Sequence, residues 1–174
     1  MKNIRTIAYS AICISLMAVC SWISIPFTVP VTLQTFAVFF IAAVLGPWRS
    51  AVTVCAYILL GIAGVPVFSG FSAGLQAILG PTGGYILGFL PAVMISGIFP
   101  KTGRLIRSIC AMIIGLLVCY VSGTAWFMLV YSSGTGLGAA LSMCVIPYII
   151  PDIAKIFLAA YVSRKLHTVN VNVR

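Results

Sequence analysis

Long apolar runs separated by short breaks make up nearly the whole chain, and they predict its elements. Six helices are expected, over roughly residues 5–25, 33–46, 49–64, 82–99, 105–131 and 139–165. Residues 166–174 read as a short polar tail. The prediction is an all-α membrane protein, with residues 1–174 forming one integral membrane domain.

The second and third runs are short. About 14 residues at ~1.5 Å each span roughly 21 Å, less than the ~30 Å hydrocarbon core. Such helices end inside the protein, where irregular backbone is tolerated if it lines a cavity. Two long breaks lie on the same side of the chain's weave. One is PFTVPVTLQT (26–35), rich in Pro and Thr. The other is VPVFSGFSAGLQAILGPTGGY (65–85), rich in Gly and aromatics. Both are predicted to cap a pocket. In the last run Pro151 has no N–H, so the Pro147 carbonyl loses its helical partner and a kink is expected one turn from Asp152.

Composition narrows the class. With 62% hydrophobic and 6% charged residues, no stretch is polar enough to form a soluble catalytic domain. The net charge of +9 would suit nucleic acid, but its placement does not. Lys2, Arg5, Arg49, Lys101, Arg104, Arg107, Arg164, Lys165 and Arg174 all fall on one side of the weave; Lys155 lies inside a run. The positive-inside rule then puts both termini and the basic breaks in the cytoplasm, against lipid headgroups. The partner is a bilayer, not nucleic acid. The first apolar run is long and more follow, so a retained helix is expected rather than a cleaved signal. Val19 replaces the small residue a lipoprotein site needs before Cys20.

Six cysteines, Cys13, Cys20, Cys55, Cys110, Cys119 and Cys144, sit in apolar runs without CxxC spacing, as buried free thiols do. The one histidine, His167, is in the polar tail, so no metal site is expected. Ser-His-Asp, HExxH, paired-carboxylate and Walker patterns are all missing from the sequence, which argues against an enzyme and against ATP use by this chain. No internal repeat supports an inverted-repeat carrier.

The single acidic residue, Asp152, lies within the last run. A carboxylate at the bilayer centre costs about 2.5–3.5 kcal/mol. Lys155 follows three residues later on the same helical face. An exposed helical ion pair returns only about 0.2–0.5 kcal/mol, too little to justify both charges. A ligand anchor is the better account: Asp152 accepts N–H bonds and Lys155 donates to a carbonyl or carboxylate. There is no second acid for a proton relay.

Other candidates come with plainer readings. In GPTGGYILGF (80–89), Gly83 and Gly84 allow close backbone approach to a ligand or to a neighbouring helix. Tyr85 offers an aromatic wall with a hydroxyl. Thr32, Gln34 and Thr35 either cap the second helix or donate to a ligand. Phe68 in PVFSGF is expected against a ligand's apolar part. Trp22, Trp48 and Trp126 suit an interfacial belt, and GTGLG (134–138) a hairpin loop. Ala8, Ala11, Ser15 and Ala18 form a small-residue face, for bundle packing or for docking another membrane protein.

The set PVTLQT, GVPVFSG, GPTGGYILGF and the late D-I-A-K, in that order over residues 26–160, resembles the BioY family. These are biotin-specific S components of energy-coupling-factor (ECF) transporters. The resemblance implies a six-helix bundle in the bacterial cytoplasmic membrane, multi-pass, with both termini inside and a vitamin pocket facing out. It implies a coupling transmembrane protein and two ABC ATPases as partners, with ATP used only by those partners, though some members are reported to work without them. Ala8, Ala11 and Ser15 would then meet the coupling protein. No cofactor is implied; biotin is the cargo. Asp152 suits the ureido N–H groups, and Lys155 suits either the ureido carbonyl or the tail carboxylate. Tyr85, Phe68 and the loop glycines suit the ring and chain. Because Asp152 and Lys155 cancel, the anionic tail would rest on Thr32, Gln34, Thr82 or backbone N–H groups. Two other functions remain open: an S component for another small vitamin or heterocycle, and a ligand-free structural membrane protein.

Overall fold

The structure, a computed structural model, describes residues 2–27, 29–98, 105–131, 134 and 136–168. The basic positions Lys101, Arg104 and Arg174 lie outside the described residues, as do the end of the polar tail and part of the GTGLG loop. The side chains of Lys2 and His167 lie outside them too.

The chain forms α1 (Lys2–Trp22), a two-residue strand β1 (Ser24–Ile25), β2 (Val31–Thr32), α2 (Gln34–Leu45) and α3 (Pro47–Ile62). A single 3₁₀ turn (Ser69–Phe71) precedes α4 (Leu75–Leu79) and α5 (Gly83–Gly97). Then come α6 (Leu105–Trp126), which runs on through a π-helical turn (Phe127–Tyr131), α7 (Leu137–Cys144) and α8 (Ile146–Thr168). Among the described residues, three stretches are long and apolar enough to cross a membrane: Ile4–Trp22, Leu105–Val130 and Ile146–Leu166. The helices α2, α3 and α5 are apolar too but shorter.

Burial explains how α2 can be short. Its 12 residues rise about 18 Å at ~1.5 Å each. Ala37, Val38, Phe39, Ile41 and Ala42 are at most 1% exposed, and α1, α3, α5 and α8 all pack against it. A helix that is apolar all round belongs in the middle of a bundle. There its ends need not reach water, and its first turn opens on interior space.

The predicted breaks hold with local changes. Gly46 takes φ 79° as α2 ends, a conformation that suits glycine. Pro47 follows as the first residue of α3, where its missing N–H costs nothing; this starts α3 two residues earlier than expected. The 26–32 break is a small antiparallel hairpin, pairing Ser24 with Thr32 and Ile25 with Val31. The 65–81 break contains α4 and the Ser69–Phe71 turn. The last predicted helix divides at Val145 (φ −127°, ψ −56°) into α7 and α8. Pro147 thereby falls in the first turn of α8, where no N–H is needed, while Pro151 remains inside that helix.

Tryptophans fasten the 65–81 loop. Trp22 Nε1 donates to Pro66 O over 2.9 Å, and its ring stacks on Phe71 at 4.9 Å. Trp126 Nε1 donates to Gly80 O over 3.2 Å. This loop, one of the two expected to roof a pocket, is thus tied to α1 and α6. Cys13, Cys20, Cys119 and Cys144 are buried free thiols, whereas Cys55 and Cys110 are exposed.

Candidate functional site

Three helices present stripes at helical spacing to one interior point. From α5 come Tyr85, Ile86 and Phe89; from α6, Leu116, Cys119 and Tyr120; from α8, Tyr148, Asp152 and Lys155. Thr32, Gln34 and Thr35 close the space at the start of α2. Val29, Pro30, Ser69 and Thr82 come from the loops. The closed space among these side chains is about 60 Å³, and about 600 Å³ with the open mouth and its solvent included.

Asp152 is 3% exposed and Lys155 7%. Lys155 Nζ donates to Asp152 Oδ1 over 2.7 Å. Thr35 Oγ1 donates to the same oxygen over 2.9 Å, and Tyr120 Oη donates to Oδ2 over 2.7 Å. Hydrogen bonds to a charged group contribute about 1.5–3 kcal/mol each. Together they offset the cost of placing the carboxylate there. The ion pair, the plainer of the two readings of the sequence, therefore exists, but it is one contact of three.

Counting lone pairs shows what is left for a ligand. A carboxylate has about four acceptor positions. Three are filled, so Oδ2 keeps one. The ammonium of Lys155 keeps two of its three N–H donors. One acceptor and two donors stand side by side in an apolar cavity.

Tyr85 walls the cavity as expected, but its hydroxyl is committed to Cys144 O at 2.8 Å. Thr32 accepts the Gln34 backbone N–H at 3.2 Å, as a capping residue does, and keeps its own O–H to donate. Thr82 Oγ1 reaches Ala77 O only at 3.4 Å. Gln34 Nε2 donates to Tyr57 Oη over 2.8 Å. The Tyr148 hydroxyl donates to Val29 O, holding the 26–32 loop over the cavity.

Phe68, Gly83 and Gly84 are not brought to the cavity. Phe68 is 1% exposed and packs edge-on to Tyr57 at 5.6 Å. Its ring lies where a Cβ on Gly61 would be, 2.1 Å away. The two glycines permit contact with protein rather than ligand. A Cβ on Gly83 would meet Ile78 O at 1.6 Å, and one on Gly84 would meet Trp126 Cβ at 2.2 Å. Ala8, Ala11 and Ser15 share an exposed face of α1, while Ala18 is buried.

Tyr120 and Tyr148 escaped the sequence reading, and Thr35 was left between capping and binding. Tyr120 had a usable signal: a phenol near the middle of the long apolar run 105–131. For Tyr148 and the apolar lining, chain position offered none.

The fold matches the crystal structure of the S-component for biotin from an ECF-type ABC transporter, with TM-score 0.87, 24% identity, and coverage of 95% of this chain and 92% of that one. Fold and cavity together define a helical membrane protein of S-component architecture. The sequence matches the BioY family over residues 1–171. It is 37% identical over 163 residues to the probable biotin transporter BioY of Pyrococcus horikoshii, covering 93% of this chain and 96% of that protein. It is 36% identical over 159 residues to the biotin transporter BioY of Thermotoga maritima, covering 91% and 83% respectively. The chain belongs to the BioY family.

Proposed function

We propose that this protein captures biotin in the cavity between α2, α5, α6 and α8 and delivers it inward as the binding subunit of a vitamin uptake transporter. One observation carries the site assignment: Asp152 and Lys155 stand together on the cavity wall with an acceptor and donors still open. An N–H beside a carbonyl, as in one edge of a ureido group, is complementary to that pair. Ile86, Phe89 and Leu116 suit the thioether ring and the aliphatic chain. The tail carboxylate meets Thr32, Thr82 or the second free N–H of Lys155.

The basic residues support six crossings of the bacterial cytoplasmic membrane with both termini inside. On that orientation the hairpin 24–32 and the 65–81 loop face outward, over the cavity. The exposed face of Ala8, Ala11 and Ser15 suits close approach by a transmembrane coupling protein, with two ABC ATPases supplying the energy.

Thermal unfolding of the purified protein tests the ligand. Biotin at ~100 Kd adds about 2.7 kcal/mol of stability if it binds only the folded state. A shift with riboflavin or thiamine and none with biotin would move the assignment to another vitamin. No shift with any of them would leave a structural membrane protein.

A further inference from the structure

We infer that Tyr57, which lies outside the cavity, orients the Gln34 side chain so that it offers its carbonyl oxygen to the ligand and reads a ligand N–H. This rests on the biotin reading and deepens it.

The oxygens of Tyr57 and Val67 are 2.6 Å apart. The Val67 carbonyl has no hydrogen, so the phenol proton lies between them. Only lone pairs of the Tyr57 oxygen then remain for Gln34, 2.8 Å away. The atom of Gln34 facing Tyr57 must carry hydrogens, which makes it Nε2. An amide's orientation is set by its hydrogen-bond network, and here the network allows one choice. Tyr57 is fully buried, and Ser21 Oγ also approaches Val67 O at 2.6 Å, so the carbonyl is held from two sides.

The other end of the amide is thereby determined. Gln34 lines the cavity, and Oε1 has no partner among the described residues. Nor is it sealed away from solvent as a buried orphan. It therefore faces ligand space as an acceptor. The sequence suggested a donor for the anionic tail; the Tyr57 contact reverses that polarity. Gln34 lies next to Thr35, which bonds Asp152, so the second acceptor sits in the same turn as the carboxylate's partner. Two acceptors, Asp152 Oδ2 and Gln34 Oε1, with Lys155 as donor, form the complement of a cyclic urea: N–H, C=O, N–H.

The test is equilibrium binding to purified full-length protein in detergent, using biotin and its two mono-N-methyl ureido derivatives. Gln34→Leu keeps most of the volume and removes the acceptor, so its preference for biotin over one N-methyl isomer is expected to fall tenfold or more. A loss of equal size for all three ligands would show that Gln34 does not read a ligand N–H, and would overturn the assignment. Tyr57→Phe keeps the ring and frees the amide to turn. Its preference for biotin over one N-methyl isomer is expected to fall tenfold or more. A merely structural role would weaken all three ligands alike; unchanged ratios therefore also overturn the assignment. Failure of wild type to bind biotin sinks the biotin reading and this one with it. Wild-type binding with unchanged ratios sinks this one alone.

Discussion

The phenol of Tyr120 donates to Asp152 Oδ2 over 2.7 Å, on the oxygen that Lys155 leaves untouched. Asp152 is thereby held through both oxygens, by α6 on one and by α2 and its own helix on the other. Tyr120→Phe removes one hydrogen bond to a charge. The ligand-free protein should lose about 1.5–3 kcal/mol of stability. Biotin affinity should weaken by roughly tenfold, about 1.4 kcal/mol, because the carboxylate is less firmly aimed. Melting curves with and without biotin measure both. An unchanged ligand-free melting temperature would contradict the role given to Tyr120.

Lys155→Ala should be the more damaging half of the ion pair. It leaves a buried carboxylate without its cation, which costs about 3–5 kcal/mol. Asp152→Asn combined with Lys155→Met removes both charges and keeps volume. The double variant should recover most of the lost stability while binding no biotin. Recovery of binding along with stability would mean the pair is structural.

Phe68→Ala separates packing from binding in the other direction. The side chain is 1% exposed and packs edge-on to Tyr57 and against Gly61. Truncating a buried Phe costs about 3–5 kcal/mol. Measured well below the melting transition, biotin affinity should stay within a few-fold of wild type. A selective loss of affinity with stability intact would put Phe68 back in the site.

Gly123→Ala is predicted to act on the cavity from behind. A Cβ there would lie 2.4 Å from the Tyr85 ring. Overpacking of this kind costs about 1–3 kcal/mol, and the displaced ring should lower biotin affinity. Gly138→Ala in α7 is the control, because nothing lies within 4 Å of its Cβ position. Equal effects of the two substitutions would contradict the packing account.

The division between legible and hidden features follows from what each depends on. Asp152 and Lys155 were legible because a charge inside an apolar run is expensive wherever the run goes. The six longer helices were legible because their hydrophobic length is local. The break at Val145 was not: two prolines nearby drew the expected kink to Pro151. Gly83, Gly84 and Phe68, expected near a ligand, pack against protein instead, for a shared reason. Glycines and aromatics in a loop suit a ligand and a neighbouring helix equally well. Only the position of Trp126 and Gly61 showed which partner each one has.

By itself the sequence determined the class, the longer helices and the one charged pair that had to be explained. Hydrophobic length and the cost of a buried charge are properties of a segment and need no partner. The tertiary structure decided how many acceptor positions Asp152 has left, which way Gln34 points and which aromatics face the cavity. Those depend on hydrogen bonds between residues as far apart as Thr35 and Asp152, or Gln34 and Tyr57. Such bonds are made only when the helices have packed, because a donor's direction is set by the acceptor placed beside it.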